Sequence, residues 1–152
     1  PATAATDNHR FDPLYGTPHK HWGYMDYYYV GTGSPTGGLQ NAYFKVKYQA
    51  NSFFVTVDAH NFRLAENTPD PNDPDKASID KNLGYEFDVI ASYNLNKFTT
   101  LEAGYAFMFA NNSTEYVKKG TFDQTNQRPQ WFYLMINIRP DFFFTKPVAI
   151  KQ

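Results

Sequence analysis

The chain has 152 residues, with 14 lysines and arginines against 15 aspartates and glutamates, and it contains no cysteine. A net charge of −1 provides no bulk attraction to nucleic acid or to an anionic membrane surface, and the lack of cysteine excludes disulfides and thiolate metal sites. No stretch approaches the roughly 18 apolar residues of a membrane-spanning helix, although aromatic residues make up 18% of the chain.

Six segments are predicted to be extended. Five of them alternate apolar and polar residues with a period of two, which predicts β-strands with one apolar and one polar face. The phase of the third segment breaks near Asn61 and Phe62, which predicts a bulge. No segment has a convincing helical period, so the sequence predicts an all-β antiparallel fold. In chain order the segments are 23–30, 39–50, 53–64, 83–95, 98–110 and 130–139.

The connections between these segments alternate between short and long. Tight turns are predicted at 51–52 and 96–97, and long polar loops at 31–38, 66–82 and 111–129. Short turns at one end and long loops at the other are typical of outer-membrane β-barrels, whereas soluble sandwiches mix loop lengths at both ends.

Strand length and aromatic placement favour lipid rather than a protein core on the apolar face. Thirteen residues at about 3.3 Å each, tilted by roughly 45°, climb about 30 Å, the thickness of a bilayer core. In the segment LGYEFDVIASYNL (83–95), Tyr85 and Tyr93 flank the apolar face near its two ends, as interfacial girdles do. A soluble lipid-binding β-barrel is the competing interpretation.

The expected architecture is therefore an antiparallel transmembrane β-barrel segment of six long strands over residues 23–144. Residues 1–22 are a polar lead-in that folds into the lumen or lies in the periplasm, and residues 145–152 are a C-terminal tail. Single-chain barrels of this type begin at about eight strands. The missing strands are expected from a longer polypeptide or from other chains.

Several stretches resemble the C-terminal part of the alginate-export family of outer-membrane barrels, in its Bacteroidota-type members. The resemblance covers about residues 11–142 and includes FDPLYGTPHKHWGYMDYYYV (11–30), residues 83–109 and WFYLMINIRPDF (131–142). Its most distinctive element is F-D-P-L-Y-G-T-x-H-K. The resemblance implies a barrel of about 16–18 strands whose polar lumen conducts a polysaccharide or another solute.

Strand parity predicts which residues line that lumen. They include five acids against three fixed cations, whereas the resemblance implies an arginine-rich pore for members that conduct polyanions. Two interpretations stay open: an acidic stripe that screens solutes by charge, or ion-pair ladders along a wet face. The predicted pore-lining residues are Asp26, Asn41, Lys45, Lys47, Asp58, His60, Glu86, Asp88, Glu102, Asn137 and Arg139.

The lead-in also contains a possible gate segment. His19-Lys20-His21 is only weak evidence for a metal site, and the oxygen-rich stretch 70–80 lacks the glycine and terminal glutamate of an EF-hand loop. We therefore predict neither a metal nor a cofactor. The gate residues are Phe11, Tyr15, His19, Lys20 and His21.

The predicted function is a porin-like channel in the outer membrane of a Gram-negative bacterium. It selects solutes by charge and size, and its partners are outer-membrane lipid, the solute in the lumen and the remaining barrel strands. No pair of carboxylates is placed across a cleft and no Ser/His/Asp arrangement is readable, so an enzyme is not predicted. The alternatives are a non-conducting structural barrel subunit of a larger envelope complex and a soluble lipid-binding barrel.

Overall fold

The structure, a computed structural model, describes residues 21–28, 35, 37–73, 75, 78–122 and 128–143. Five antiparallel strands form one sheet in the order β1-β2-β3-β4-β5, so the predicted all-β antiparallel fold is confirmed. Among the described residues, β1 and β5 each pair with one neighbour and the sheet stays open. The elements are β1 Leu39–Ala50, β2 Phe53–Leu64, β3 Asn82–Asn96, β4 Thr99–Ala110, helix α1 Asn112–Lys119 and β5 Gln130–Ile138.

The local sequence pattern locates the five strands closely. The predicted bounds of β1 and β2 agree with the structure. Those of β4 and β5 differ by one residue at one end, and those of β3 by one residue at each end. The predicted bulge is present as a register shift between Phe62 and Arg63. Short turns join β1 to β2 and β3 to β4, and Asn51 adopts the left-handed conformation in the first of them (φ +48°).

The predicted first strand, 23–30, is wrong for its described part. Residues 23–28 form turns, with Gly23 at φ +80° and Asp26 at φ +50°, and residues 29–30 lie outside the described residues. The backbone N–H groups of Tyr24 and Met25 donate to side-chain carboxylates on β3 instead of to a neighbouring strand. The high tyrosine content of this segment, which favours a strand, was therefore misleading here.

Helix α1 is a second correction, because the sequence predicts a polar loop over 111–129. The helix has standard end signals. The side chain of Asn111 accepts a hydrogen bond from Thr114 N, and Gly120 ends the helix in the left-handed conformation at φ +74°. Eight residues are too few to produce a clear helical period, so the sequence of this region was interpreted as a loop. No helix in the described parts of the chain is long and apolar enough to cross a membrane.

On the central strands β2, β3 and β4, the polar face of the sheet is more buried than the apolar face. Residues of the apolar face align across all five strands in one row, and each is between 39% and 61% exposed. In the neighbouring row of the polar face, Asp58 and Asp88 are 1% and 0% exposed. The apolar row consists of Val46, Val57, Val89, Tyr105 and Phe132.

A small apolar core lies at the end of the sheet with the long connections. Phe62 and Met108 continue the polar face of β2 and β4 at this end, and they are covered by α1 and by residues 21–28. The hydroxyl of Tyr28 lies 2.7 Å from Thr114 Oγ1 on α1, and its ring is 4.9 Å from that of Phe62. The fully buried members are Tyr28, Phe62, Leu64, Ile79, Leu83 and Met108.

Lys118 at the end of α1 gives this core a testable pH dependence. Its Nζ donates to the backbone oxygen of Tyr27 and lies 4.7 Å from the ring centroid of Tyr28. Burial lowers the pKa of Lys118 to about 8, and burial also raises the pKa of Tyr28.

We expect the free energy of unfolding to rise with pH between about 8 and 10, because the unfolded chain then binds the lysine proton more tightly than the folded chain does. Above about 10 it should fall, since the raised pKa of Tyr28 favours ionisation in the unfolded chain. Urea unfolding midpoints from pH 7 to 11 would test this for the wild type and Lys118→Gln. The variant should lack the rise, and parallel profiles would contradict the assignment.

Candidate functional site

The polar face carries a block of four buried ionisable side chains on two adjacent strands. Asp58 and His60 lie on β2 and Glu86 and Asp88 on β3, where Asp58 pairs with Asp88 and His60 with Glu86. None is more than 1% exposed. Because buried charges are costly unless paired, a block of this kind requires specific partners.

Part of that pairing comes from β1. Lys45 Nζ forms an ion pair with Asp58 Oδ2, and His60 Nε2 lies 3.7 Å from Asp88 Oδ2. The other ring nitrogen, His60 Nδ1, is 3.0 Å from Asn41 Nδ2 and 3.3 Å from Asn41 Oδ1. The imidazole is thereby held between β1 and β3.

Residues 21–28, hereafter the covering segment, lie across this block. Glu86 Oε1 accepts a hydrogen bond of 2.9 Å from Met25 N, and Asp88 Oδ2 accepts one of 3.3 Å from Tyr24 N. A Cβ on Gly23 would overlap the carboxylate of Glu86. The two β3 carboxylates therefore bind the backbone of the covering segment, and glycine permits the close approach.

A groove continues along the polar face from the covering segment towards the short turns. Its first part has a volume of about 420 Å³ and includes Tyr24, Trp131 and Tyr133 in its lining. A second part of about 320 Å³ adjoins it, and Glu102 and Met135 line both. The second part is mainly polar, with Ser92, Asn94, Lys97, Thr100, Asn137 and Arg139 among its lining residues.

Tyr133 is fixed in this groove by three contacts. Its hydroxyl donates to Glu102 Oε1 at 2.7 Å, and its ring stacks on that of Tyr24 with centroids 6.4 Å apart. The ring also lies over its cross-strand partner Gly104, where a Cβ would overlap it. Gly104 therefore provides the space in which an aromatic side chain lies flat against the sheet.

The strand residues predicted to line a pore share one face of the sheet, although their role in a pore stays a prediction. Only Asp58, His60, Glu86 and Asp88 form the buried block. Asp26 belongs to the covering segment rather than to a strand, and Arg139 follows β5, with its Nε donating to Asn137 Oδ1 at 3.1 Å. The residues on the shared face are Asn41, Lys45, Lys47, Asp58, His60, Glu86, Asp88, Glu102 and Asn137.

Of the predicted gate residues, His21 is described, and its Nδ1 lies 3.3 Å from the hydroxyl of Tyr43. Phe11, Tyr15, His19 and Lys20 lie outside the described residues.

Three aromatic residues of the groove are not among the site residues that the sequence predicts. Trp131 and Tyr133 have the same parity as Asn137 on β5, so the strand pattern contained the signal for both. The sequence contained no such signal for Tyr24, because the position of Tyr24 depends on contacts between the covering segment and β3.

Comparison with protein-family models, with curated proteins and with solved structures gives no match.

Proposed function

We propose that this chain supplies a five-stranded wall of an outer-membrane β-barrel, with its apolar face towards lipid and its polar face towards a solute-conducting lumen. The observation that carries this proposal is the inverted burial of the sheet. On the three central strands, the apolar residues Val57, Val89 and Tyr105 are 39–44% exposed, while Asp58, Glu86 and Asp88 are at most 1% exposed. A sheet in water would have the opposite distribution.

Strand dimensions support a lipid environment. Strands β1 to β4 have 12 to 15 residues, longer than the roughly 9–11 that a tilted transmembrane strand needs. Tyr85 and Tyr93 are exposed near the two ends of β3, where a girdle of aromatic residues meets the lipid headgroups.

The two edge strands of the sheet, β1 and β5, determine what kind of partner this wall requires. Unpaired backbone groups cannot be exposed to hydrocarbon, so β1 and β5 must pair with further strands of the same polypeptide or of other chains. Barrels of this type have at least about eight strands, and the described sheet has five.

The groove suggests the chemistry of the solute. Tyr24, Trp131 and Tyr133 present aromatic surfaces, and Glu102 presents a carboxylate beside them. Apolar ring faces of a carbohydrate stack on aromatic side chains while its hydroxyls bond to carboxylate and amide groups. We therefore infer that a carbohydrate chain or a similar polar solute follows this groove by passive diffusion.

Conductance of the purified full-length protein in planar bilayers would test this proposal. We expect discrete single-channel steps and a concentration-dependent block by a neutral oligosaccharide. Tyr133→Ala should weaken that block by about 10-fold, since it removes one stacking platform. Absence of steps from folded, bilayer-inserted protein would refute a conducting function.

A non-conducting structural barrel is the second candidate, and the covering segment favours it. This segment occupies the polar face at the end with the long connections and is bonded to Glu86 and Asp88. Protein that inserts into bilayers, conducts no ions and co-purifies with stoichiometric envelope proteins would establish this alternative. Extraction by buffer without detergent would instead indicate a soluble barrel.

A further inference from the structure

The buried block contains an unfavourable arrangement of like charges. Asp58 and Asp88 occupy directly opposed positions on β2 and β3, where equal charges repel. Glu86 lies two residues from Asp88 on the same face of β3, so three carboxylates share this small region. Lys45 contributes an ammonium group at its edge, with about a third of its side chain exposed.

One ligand atom from each of Asp58, His60 and Asp88 lies in a common space. All three atoms are within 4.8 Å of one another. Asp58 Oδ1, His60 Nε2 and Asp88 Oδ1 are buried and make no hydrogen bond within the described parts of the chain. Buried polar atoms are normally satisfied, so one unsatisfied atom on each of these three neighbouring residues indicates a missing partner.

We propose that Asp58, His60 and Asp88 bind a divalent transition-metal ion of the Zn²⁺ type. One imidazole and two carboxylates form a ligand set suited to such an ion, whereas calcium and magnesium prefer oxygen ligands alone. Bonds of about 2.1 Å separate tetrahedral ligands by roughly 3.4 Å, so binding requires ligand atoms now within 4.8 Å of one another to approach by at most about 1.4 Å. The ion would neutralise the opposed aspartates and link β2 to β3.

The surroundings of His60 and Asp58 are compatible with an ion. The Asn41 side chain lies against His60 Nδ1, with Nδ2 at 3.0 Å and Oδ1 at 3.3 Å. In the tautomer whose Nδ1–H donates to Oδ1, Nε2 carries the free electron pair that a metal ion requires. Metal-binding histidines are commonly oriented by such an acceptor. Lys45 bonds Asp58 through Oδ2 and leaves Oδ1 for the metal.

Titration of the full-length protein in detergent with Co²⁺, after removal of metals by EDTA, would test the site. We expect about one Co²⁺ per chain with visible ligand-field absorption, and its displacement by Zn²⁺. His60→Gln and Asp88→Asn should each weaken binding by about 100-fold or more. Glu102→Gln, on the same face, and His21→Gln, which removes another imidazole, are the matched controls and should bind as the wild type does.

Folded wild-type protein that binds no Co²⁺, or a His60→Gln variant with unchanged affinity, would overturn the proposal. Circular dichroism identifies a variant that fails to fold. If a variant fails to fold, X-ray absorption at the cobalt edge of the wild-type protein tests the site instead. One nitrogen ligand with otherwise oxygen ligands would support the site, and several imidazole ligands would refute it. The titration involves no bilayer or conductance, so its failure is distinguishable from failure of the proposed channel function.

Discussion

Replacing Val57 with arginine is expected to abolish insertion of this protein into lipid bilayers. Val57 lies in the middle of β2, in the row of apolar residues that crosses all five strands, and it is 44% exposed. An arginine on the lipid face near the bilayer midplane costs about 2–4 kcal/mol in outer-membrane barrels. That is a large part of the typical stability of a folded protein.

Thr56→Arg is the matched control, because Thr56 is adjacent in sequence and at the same depth but belongs to the polar face. Its cross-strand neighbours are Lys47 and Ile90. We expect this variant to insert with near wild-type yield. The measurement is the fraction of protein folded into liposomes, read from the heat-dependent shift in gel migration. Equal insertion of the two variants would contradict a lipid-facing Val57, and a soluble sheet predicts that outcome.

Replacing Gly23 with alanine is expected to displace the covering segment from the polar face. Gly23 has φ +80° and its missing Cβ would overlap the Glu86 carboxylate. A left-handed conformation costs a residue with a Cβ about 1–2 kcal/mol, and the displaced Glu86 loses its hydrogen bond from Met25 N. We expect single-channel conductance in planar bilayers to increase several-fold, because displacement of the covering segment would leave the groove open along the whole polar face.

Gly120→Ala separates backbone strain from displacement of the segment. Gly120 has φ +74° and nothing lies within 4 Å of the position of its Cβ. This variant should have the same strain at the end of α1, with the conductance of the wild type. Equal conductance of Gly23→Ala and the wild type, in protein that still inserts, would show that the covering segment does not obstruct the lumen.

Most of the sheet could be predicted from sequence because strand alternation is a local property. The period of two fixed the bounds of β1 to β5 to within one residue at each end and located the bulge at Phe62. Local sequence was misleading at 23–28, where the tyrosines favour a strand but the carboxylates of Glu86 and Asp88 accept the backbone hydrogen bonds of Met25 and Tyr24. It also missed α1, whose capping residues Asn111 and Gly120 lie within a polar loop.

The candidate site could be predicted from sequence less completely than the strands, because its formation depends on tertiary structure. The sequence predicted that Asp58, His60, Glu86 and Asp88 share a face on neighbouring strands, but it did not predict which of these residues lie opposite each other. Their contact requires residues 26 and 30 positions apart to align in the antiparallel register of β2 and β3. That register is set by packing and turn geometry over the whole sheet.

The sequence by itself determined that this chain forms long strands with one apolar and one polar face, because side chains of a strand alternate by geometry. The barrel, the lipid contact and the resemblance to alginate-export proteins stay predictions. Only the tertiary structure decided that the polar face of the central strands β2 to β4 is the buried one, since the covering segment and α1 lie on that side of the sheet. It also placed Asp58, His60 and Asp88 within one small region, since contact between distant parts of a chain depends on how the strands pair.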